Sequence, residues 1–261
     1  MVTTSLGAAS RPLPPLRWSI TDSSRAARDA VEAACPEGML PDGDACVHIP
    51  ATDEAEDSVV STNAHRERSG RWALYDQIPR RPDRPADYEL YRYPAPAALP
   101  GGRTVVSGYD LDRPNESQRR GMSLRAVGHG GVDIPGPRGT EIKLVALEHQ
   151  QGDATIVHVG PLFGTSVVTR HTIREAGQLR DYLLLYGHLA SAAPGLAVGA
   201  TAREGDLLGF MGDTGSPELV HLHLEVRRMR EGVDVSSKIG AQLMESSVSI
   251  VCDPRNVLPL K

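Results

Sequence analysis

The sequence predicts a mainly β protein organised around an antiparallel sheet, and three observations carry that prediction. After about residue 104 the 261-residue chain breaks into short apolar runs separated by Gly, Pro and polar turns. One of these runs, at 221–226, alternates polar and apolar side chains with the period of two that belongs to a strand. Long amphipathic stretches do not intervene between the runs, as they would in a parallel βαβ sheet. Strands are therefore expected at 142–147, 155–159, 166–169, 182–186, 207–211 and 219–226.

Taken in chain order, the first regular element expected is a short helix over 22–35, where Asp22 or Ser23 supplies a cap oxygen and alanines propagate the turns. From 36 to 103 the chain is dense in Pro, Asp, Arg and Gly with few aliphatic runs, which predicts irregular structure without a core of its own. The organisation read from this is an amino-terminal extension (1–103), a β domain (104–235) and a carboxy-terminal tail (236–261). The tail has room for one short helix over 236–246 before the Asp253-Pro254 turn.

Charge and cysteine content bound the partners. With 33 acidic and 28 basic residues the formal net charge is −5, which gives no electrostatic case for nucleic acid or an anionic membrane. No apolar run approaches the roughly 20 residues that span a bilayer, and the first 30 residues lack the apolar stretch of a secretory signal. The chain is thus either cytoplasmic or a form whose signal has been removed, and the cysteines favour the second. Cys35 and Cys46 bracket a turn-rich decapeptide suited to a disulfide loop, with Cys252 left over, although sequence alone leaves all three pairings open.

The chemistry concentrates in His221-Leu222-His223-Leu224-Glu225-Val226. On a strand His221, His223 and Glu225 share one face, with imidazoles about 7 Å apart at the backbone, while Leu222, Leu224 and Val226 anchor the other face in a core. A second cluster, His129-Gly130-Gly131-Val132-Asp133, offers an imidazole and a carboxylate. Their Cα atoms would lie roughly 13 Å apart on a straight strand, so a bend at the two glycines is expected. A third imidazole, His188, follows Tyr186-Gly187 at the end of a strongly apolar run. Three strand ends thus present histidine, which suggests a metal site.

His129-x-x-x-Asp133, then Tyr186-x-His188-Leu189, then Thr214-Gly215 followed by His221-x-His223, resembles the M23 peptidases, the LytM and lysostaphin group of zinc endopeptidases that cut peptidoglycan. The likeness spans about residues 124–230, including the turn Gly205-Asp206-Leu207-Leu208-Gly209. It implies a LytM-type antiparallel β-sheet or sandwich that binds one Zn2+ per chain through His129, Asp133 and His223, with a fourth position open to water or substrate. It also implies that His188 and His221 are catalytic: His221 as general base toward a zinc-activated water, His188 as hydrogen-bond donor to the oxyanion. The expected partners are peptidoglycan peptides, the expected location is the cell envelope, periplasmic or extracellular, and the amino-terminal segment is a candidate cover for the metal site.

Departures from the family pattern are Val220 and Leu224, where Pro and Phe are usual, and Gly164-Thr165 in place of Gly-Asn. The connection from 171 to 180 is also longer than in compact relatives. Glu225 is expected in a salt bridge or as the partner of a ligand rather than as base. His171 is expected in a hydrogen-bonding structural role or lining the groove, and Arg227, Arg228 and Arg230 at a solvated strand end or against an anionic glycan peptide. A non-catalytic M23-like regulatory module is the competing function, although such modules typically lose ligands or catalytic histidines and all five are present here. A biotinyl or lipoyl carrier is set aside, because Lys143 and Lys238 lie outside the Gly205–Gly209 turn.

Overall fold

A computed structural model describes residues 39–42, 45–48, 61–66, 72–97, 103–109, 129–175 and 177–261. The helix expected over 22–35 and the Cys35 thiol lie outside these residues. Among those described, the helical pieces are short 3-10 turns at Tyr88–Leu90, Val235–Ser237, Gly240–Met244 and Pro254–Asn256, and the regular structure is otherwise strand. The mainly β fold is therefore as expected.

Four strands precede the β domain: β1 (Met39–Asp42), β2 (Ala45–His48), β3 (Ser61–Arg66) and β4 (Trp72–Ile78). The β domain begins with β5 (Gly131–Pro135), β6 (Glu141–Lys143), β7 (Ala154–Leu162), β8 (Gly164–Glu175) and β9 (Gln178–Ala192). β10 (Thr201–Ala202), β11 (Leu207–Met211), β12 (His221–Met229) and β13 (Ser249–Cys252) complete the set. The central order is β13-β12-β9-β8-β7-β10, with β5 pairing with β12 and β11 joining β6 to β9. These pairings are antiparallel. A parallel contact of β13 with β4, at Val251↔Gln77 and Cys252↔Ile78, attaches the β1–β4 meander.

Strand β9 explains why the core is two-sided. Its uninterrupted apolar run sends Leu184 and Tyr186 into a large core with Val132, Ile134, Ile142, Leu222, Leu224 and Val226. Leu183 and Leu185 point the opposite way, into a smaller core with Val168, Val235 and Leu243. A strand covered on both faces reads as a continuous hydrophobic run, because alternation disappears when neither side is wet.

The differences from sequence expectation have local causes. The 171–180 connection is not a loop: β8 and β9 stay paired to Glu175↔Gln178, a polar ribbon held by bonds such as that from Thr172 Oγ1 to Asp181 Oδ1 (2.5 Å). The run at 142–147 leaves strand geometry after Lys143, yet Leu144, Val145 and Leu147 remain buried while the Leu144 backbone pairs with Gly205 and Asp206. Met39–Asp42, Ala45–His48, Ser61–Arg66 and Trp72–Ile78 form strands within a stretch whose composition reads as irregular. The carboxy-terminal tail is integral to the fold, since β13 lies inside the sheet and Val257 and Leu258 lie in the core.

Gly130 and Gly131 also act differently from expectation. Neither adopts positive φ, and β5 starts at Gly131 without the sharp left-handed bend. What they provide is space: a Cβ on Gly131 would meet the Leu224 carbonyl oxygen at 2.4 Å, and one on Gly130 would meet Glu225 Oε2 at 3.0 Å. The glycines let β5 lie close enough to β12 for the two motifs to meet.

Candidate metal centre

The register of the β5–β12 ladder assembles the site. It sets His223 opposite Asp133 and His221 opposite Pro135, while β9 lies on the other side of β12 with Gly187 opposite His223. His188 therefore leaves β9 beside the same end of β12, and the rings of His188 and His221 stand 4.7 Å apart. His129, one residue ahead of Gly130, reaches the cluster from the start of β5. All five residues expected at the site are brought together.

Three lone-pair atoms converge at its centre. His129 Nε2 lies 3.0 Å from Asp133 Oδ1 and 3.2 Å from His223 Nδ1, and His223 Nδ1 lies 3.1 Å from Asp133 Oδ1. Donors about 2.0–2.1 Å from a tetrahedral zinc sit roughly 3.3 Å from one another, so the triangle has the size such an ion needs. The nitrogens that face outward fix the tautomers. His129 Nδ1 donates to the Gly108 carbonyl (2.7 Å), with Ser107 Oγ at 3.1 Å, and His223 Nε2 donates to Glu225 Oε2 (3.4 Å). These contacts turn His129 Nε2 and His223 Nδ1 toward the centre, an arrangement that could hold a metal ion. Three acceptors this close require a positive charge between them, and a proton or a metal ion supplies it.

Charge in the cluster is arranged accordingly. Burial disfavours a charged Asp133, but hydrogen bonds from His129 and His223 outweigh it and hold its carboxyl well below the usual carboxylate range. Burial likewise opposes a charge on His223, yet hydrogen bonds to Asp133 and Glu225 raise its pKa to about 9 without metal. Glu225 is lowered to about 2, its own burial being overcome by His223 and Arg227. A zinc ion bound through His223 would displace that proton, so binding would release a proton below that pKa. Zinc affinity, measured by competition with a chromophoric chelator, is expected to rise about tenfold per pH unit from about pH 6 to about pH 9 and then to level off. A flat profile would mean that His223 is already neutral before metal arrives.

Glu225 has the partner role expected of it, and Arg227 has neither role that its position suggested. The Arg227 side chain is buried: Nη1 donates to Glu225 Oε1 (2.6 Å), Nε to Ser249 Oγ (2.7 Å), and Nη2 to the carbonyls of Met244 (2.9 Å) and Ser249 (3.0 Å). An Arg227–Glu225–His223 line thus runs along one face of β12 into the metal centre. The period-two alternation that grouped 221, 223 and 225 extends to 227, so this signal was available in the sequence. Glu225→Gln is expected to weaken zinc binding about 10- to 100-fold, the usual cost of losing such support. A calorimetric affinity equal to wild type would show that His223 is oriented without it.

The other side chains sort by contact. Arg230 is an anchor, pairing with Asp76 and the Ser246 carbonyl. His171 is fully buried between Thr169 Oγ1 and Gln150 Oε1, each 2.7 Å away, a structural role that burial reinforces by lowering its pKa to about 3. Cys252 is a buried free thiol. Phe163, half exposed, stacks on the His223 ring at 5.3 Å. Sequence reasoning gave no role to Phe163, nor to Ser107 and Gly108, whose contribution runs largely through a backbone carbonyl with no residue-type signature.

His188 and His221 stand on the open side, with Asp133 partly exposed beside them. His221 Nδ1 donates to the Leu219 carbonyl (2.8 Å), and its Nε2 lies 3.7 Å from Asp133 Oδ1. His188 Nδ1 donates to the Thr214 carbonyl (2.9 Å). Burial lowers the His188 pKa to about 4, against an upward pull from that carbonyl, so the ring is neutral at pH 7. Neutral His188 consequently carries its proton on Nδ1 and has none on Nε2 to give to an oxyanion, which changes the part expected of it.

A mainly β scaffold holding two histidines and a carboxylate as a candidate metal triad, with two more histidines on its open side, defines a hydrolase-like centre. Residues 127–235 match the model of peptidase family M23. Among solved structures the chain is similar to a zinc-containing peptidase from Vibrio cholerae, with 21% identity over 75% of this chain and 50% of that one, TM-score 0.37. It is also similar to the antimicrobial peptidase lysostaphin from Staphylococcus simulans, with 19% identity over 59% of this chain and 54% of that one, TM-score 0.36. A third similarity is to a mutant catalytic domain of a prophage-encoded M23 protein from Enterococcus faecalis, with 19% identity over 54% and 95%, TM-score 0.30. The match covers about half the length of the first two structures. No curated protein matches the chain in sequence. No helix among the described residues is long and apolar enough to cross a membrane.

Proposed function

We propose that the chain is a zinc-dependent endopeptidase that hydrolyses peptide bonds in peptidoglycan stems or cross-bridges at the cell envelope, periplasmic or extracellular. The observation that carries this reading is the convergence of His129 Nε2, Asp133 Oδ1 and His223 Nδ1 within 3.0–3.2 Å of one another, next to two histidines whose Nδ1 protons are already committed. Zinc in that triangle supplies a Lewis acid and lowers the pKa of a bound water toward about 7.

The chain's own residues do the rest. His221 accepts a proton from the attacking water at Nε2, and the Leu219 carbonyl supports the imidazolium that forms by holding Nδ1–H. His221 then returns the proton to the leaving amine. His188 accepts the water's other hydrogen bond at its bare Nε2 and orients the attack. Glu225 and Arg227 keep the His223 ring aimed at the metal.

Digestion of purified sacculi tests this reading. Zinc-loaded protein should release fragments with new amino termini, and chelator-treated protein should release none. Intact sacculi after incubation with a chain that holds one zinc would rule out this substrate class, whereas fragments whose yield ignores the chelator would rule out metal-dependent hydrolysis.

A further inference from the structure

The loop from 212 to 220 feeds β12. It closes on itself through the bond from His221 N–H to the Gly212 carbonyl (3.1 Å). Two of its carbonyls face the site: that of Thr214 accepts His188 Nδ1–H, and that of Leu219 accepts His221 Nδ1–H. One loop therefore decides which nitrogen carries the proton on both open-side histidines.

Thr214 fixes this loop to the sheet. Its hydroxyl donates to the Leu189 carbonyl on β9 (2.7 Å) and accepts the Thr165 N–H on β8 (2.8 Å). Packing around it is too close for side chains. A Cβ on Gly164, at φ +62°, would lie 1.8 Å from the Thr214 carbonyl oxygen, and one on Gly215, at φ +75°, would lie 2.9 Å from Gly164 N. His188 itself sits at φ +59°, a left-handed backbone that non-glycine residues rarely take, with its N–H bonded to the Phe163 carbonyl (2.8 Å). Such a conformation persists only where surrounding contacts over-determine it, and the Thr214 clamp provides them.

We propose that Thr214 is a positioning residue: its hydroxyl locks the 212–220 loop so that the Thr214 carbonyl holds the Nδ1 proton of His188 and turns its bare Nε2 to the reacting water. This rests on the reading of His188 as a hydrogen-bond acceptor in hydrolysis, and it extends that reading to a residue outside the metal and histidine set.

The test uses 15N-histidine-labelled, zinc-loaded full chain. Ring nitrogen shifts should show wild-type His188 protonated at Nδ1. Thr214→Val, which removes both hydroxyl bonds, should give a mixture of tautomers, while Thr214→Ser, which restores them, should look like wild type. Turnover on sacculi should fall about 10- to 100-fold in Thr214→Val, less than the roughly 10²- to 10⁴-fold that loss of a positioned proton-transfer group itself costs, because the variant keeps the His188 ring and loses only its orientation. It should stay within about threefold of wild type in Thr214→Ser, with zinc content unchanged in both. An Nε2-protonated His188 in wild type overturns the proposal without any variant, which also covers a Thr214→Val chain that does not fold. A Thr214→Val spectrum identical to wild type, or Thr214→Ser as impaired as Thr214→Val, overturns it as well. Inactive wild type with Nδ1-protonated His188 would instead count against the peptidase reading and leave the clamp standing.

Discussion

His223→Ala is expected to empty the metal centre. Among the described residues three potential donors converge there, each atom 3.0–3.2 Å from the other two, and removing His223 leaves an imidazole and a carboxylate. Loss of a supporting contact costs about 10- to 100-fold in affinity, so loss of a donor should cost on the order of a thousandfold or more. Bound zinc by mass spectrometry should drop from one per chain to below about a tenth, with hydrolysis at background. The fold should survive, because Glu225 keeps its bond to Arg227 and the leucines behind His223 stay in the core. A variant that still holds one zinc would remove His223 from the ligand set.

His221→Ala should separate chemistry from metal binding. Its Nε2 is 3.7 Å from Asp133 Oδ1, farther than any contact within the ligand triangle, and its Nδ1 is tied to Leu219. Zinc content should therefore match wild type. Turnover should fall about 10²- to 10⁴-fold, the usual contribution of a positioned general base. Loss of zinc in this variant would make His221 a ligand and reverse the assignment of the His-x-His pair, and wild-type turnover would leave it with no part in proton transfer.

Much of the centre was legible in the sequence because strand geometry is so regular. Alternation put His221, His223 and Glu225 on one face and the leucines on the other, and the ladder between β5 and β12 keeps that division. Which histidine of the pair holds metal was not legible, since both side chains leave the strand in the same direction. The register of His223 with Asp133 and the partners of the outward nitrogens favour His223.

Contributions made through backbone were also hidden. Gly108, Thr214 and Leu219 act through their carbonyls, and a carbonyl has no residue signature. The extent of β8 and β9 was underestimated because their polar ends pair with each other beyond the core and so lack the apolar pattern that marks a buried strand. Gly130 and Gly131 signalled a special backbone correctly, but the special feature is a close approach to β12 rather than a left-handed turn.

The most direct test of the account is a crystal of the zinc-loaded chain with diffraction recorded on both sides of the zinc absorption edge. The expected result is one anomalous peak bound by His129 Nε2, Asp133 Oδ1 and His223 Nδ1, about 2.0–2.2 Å from each, with His188 and His221 outside the coordination shell. A peak on any other residues, or zinc bound through His221 in place of His223, would contradict it.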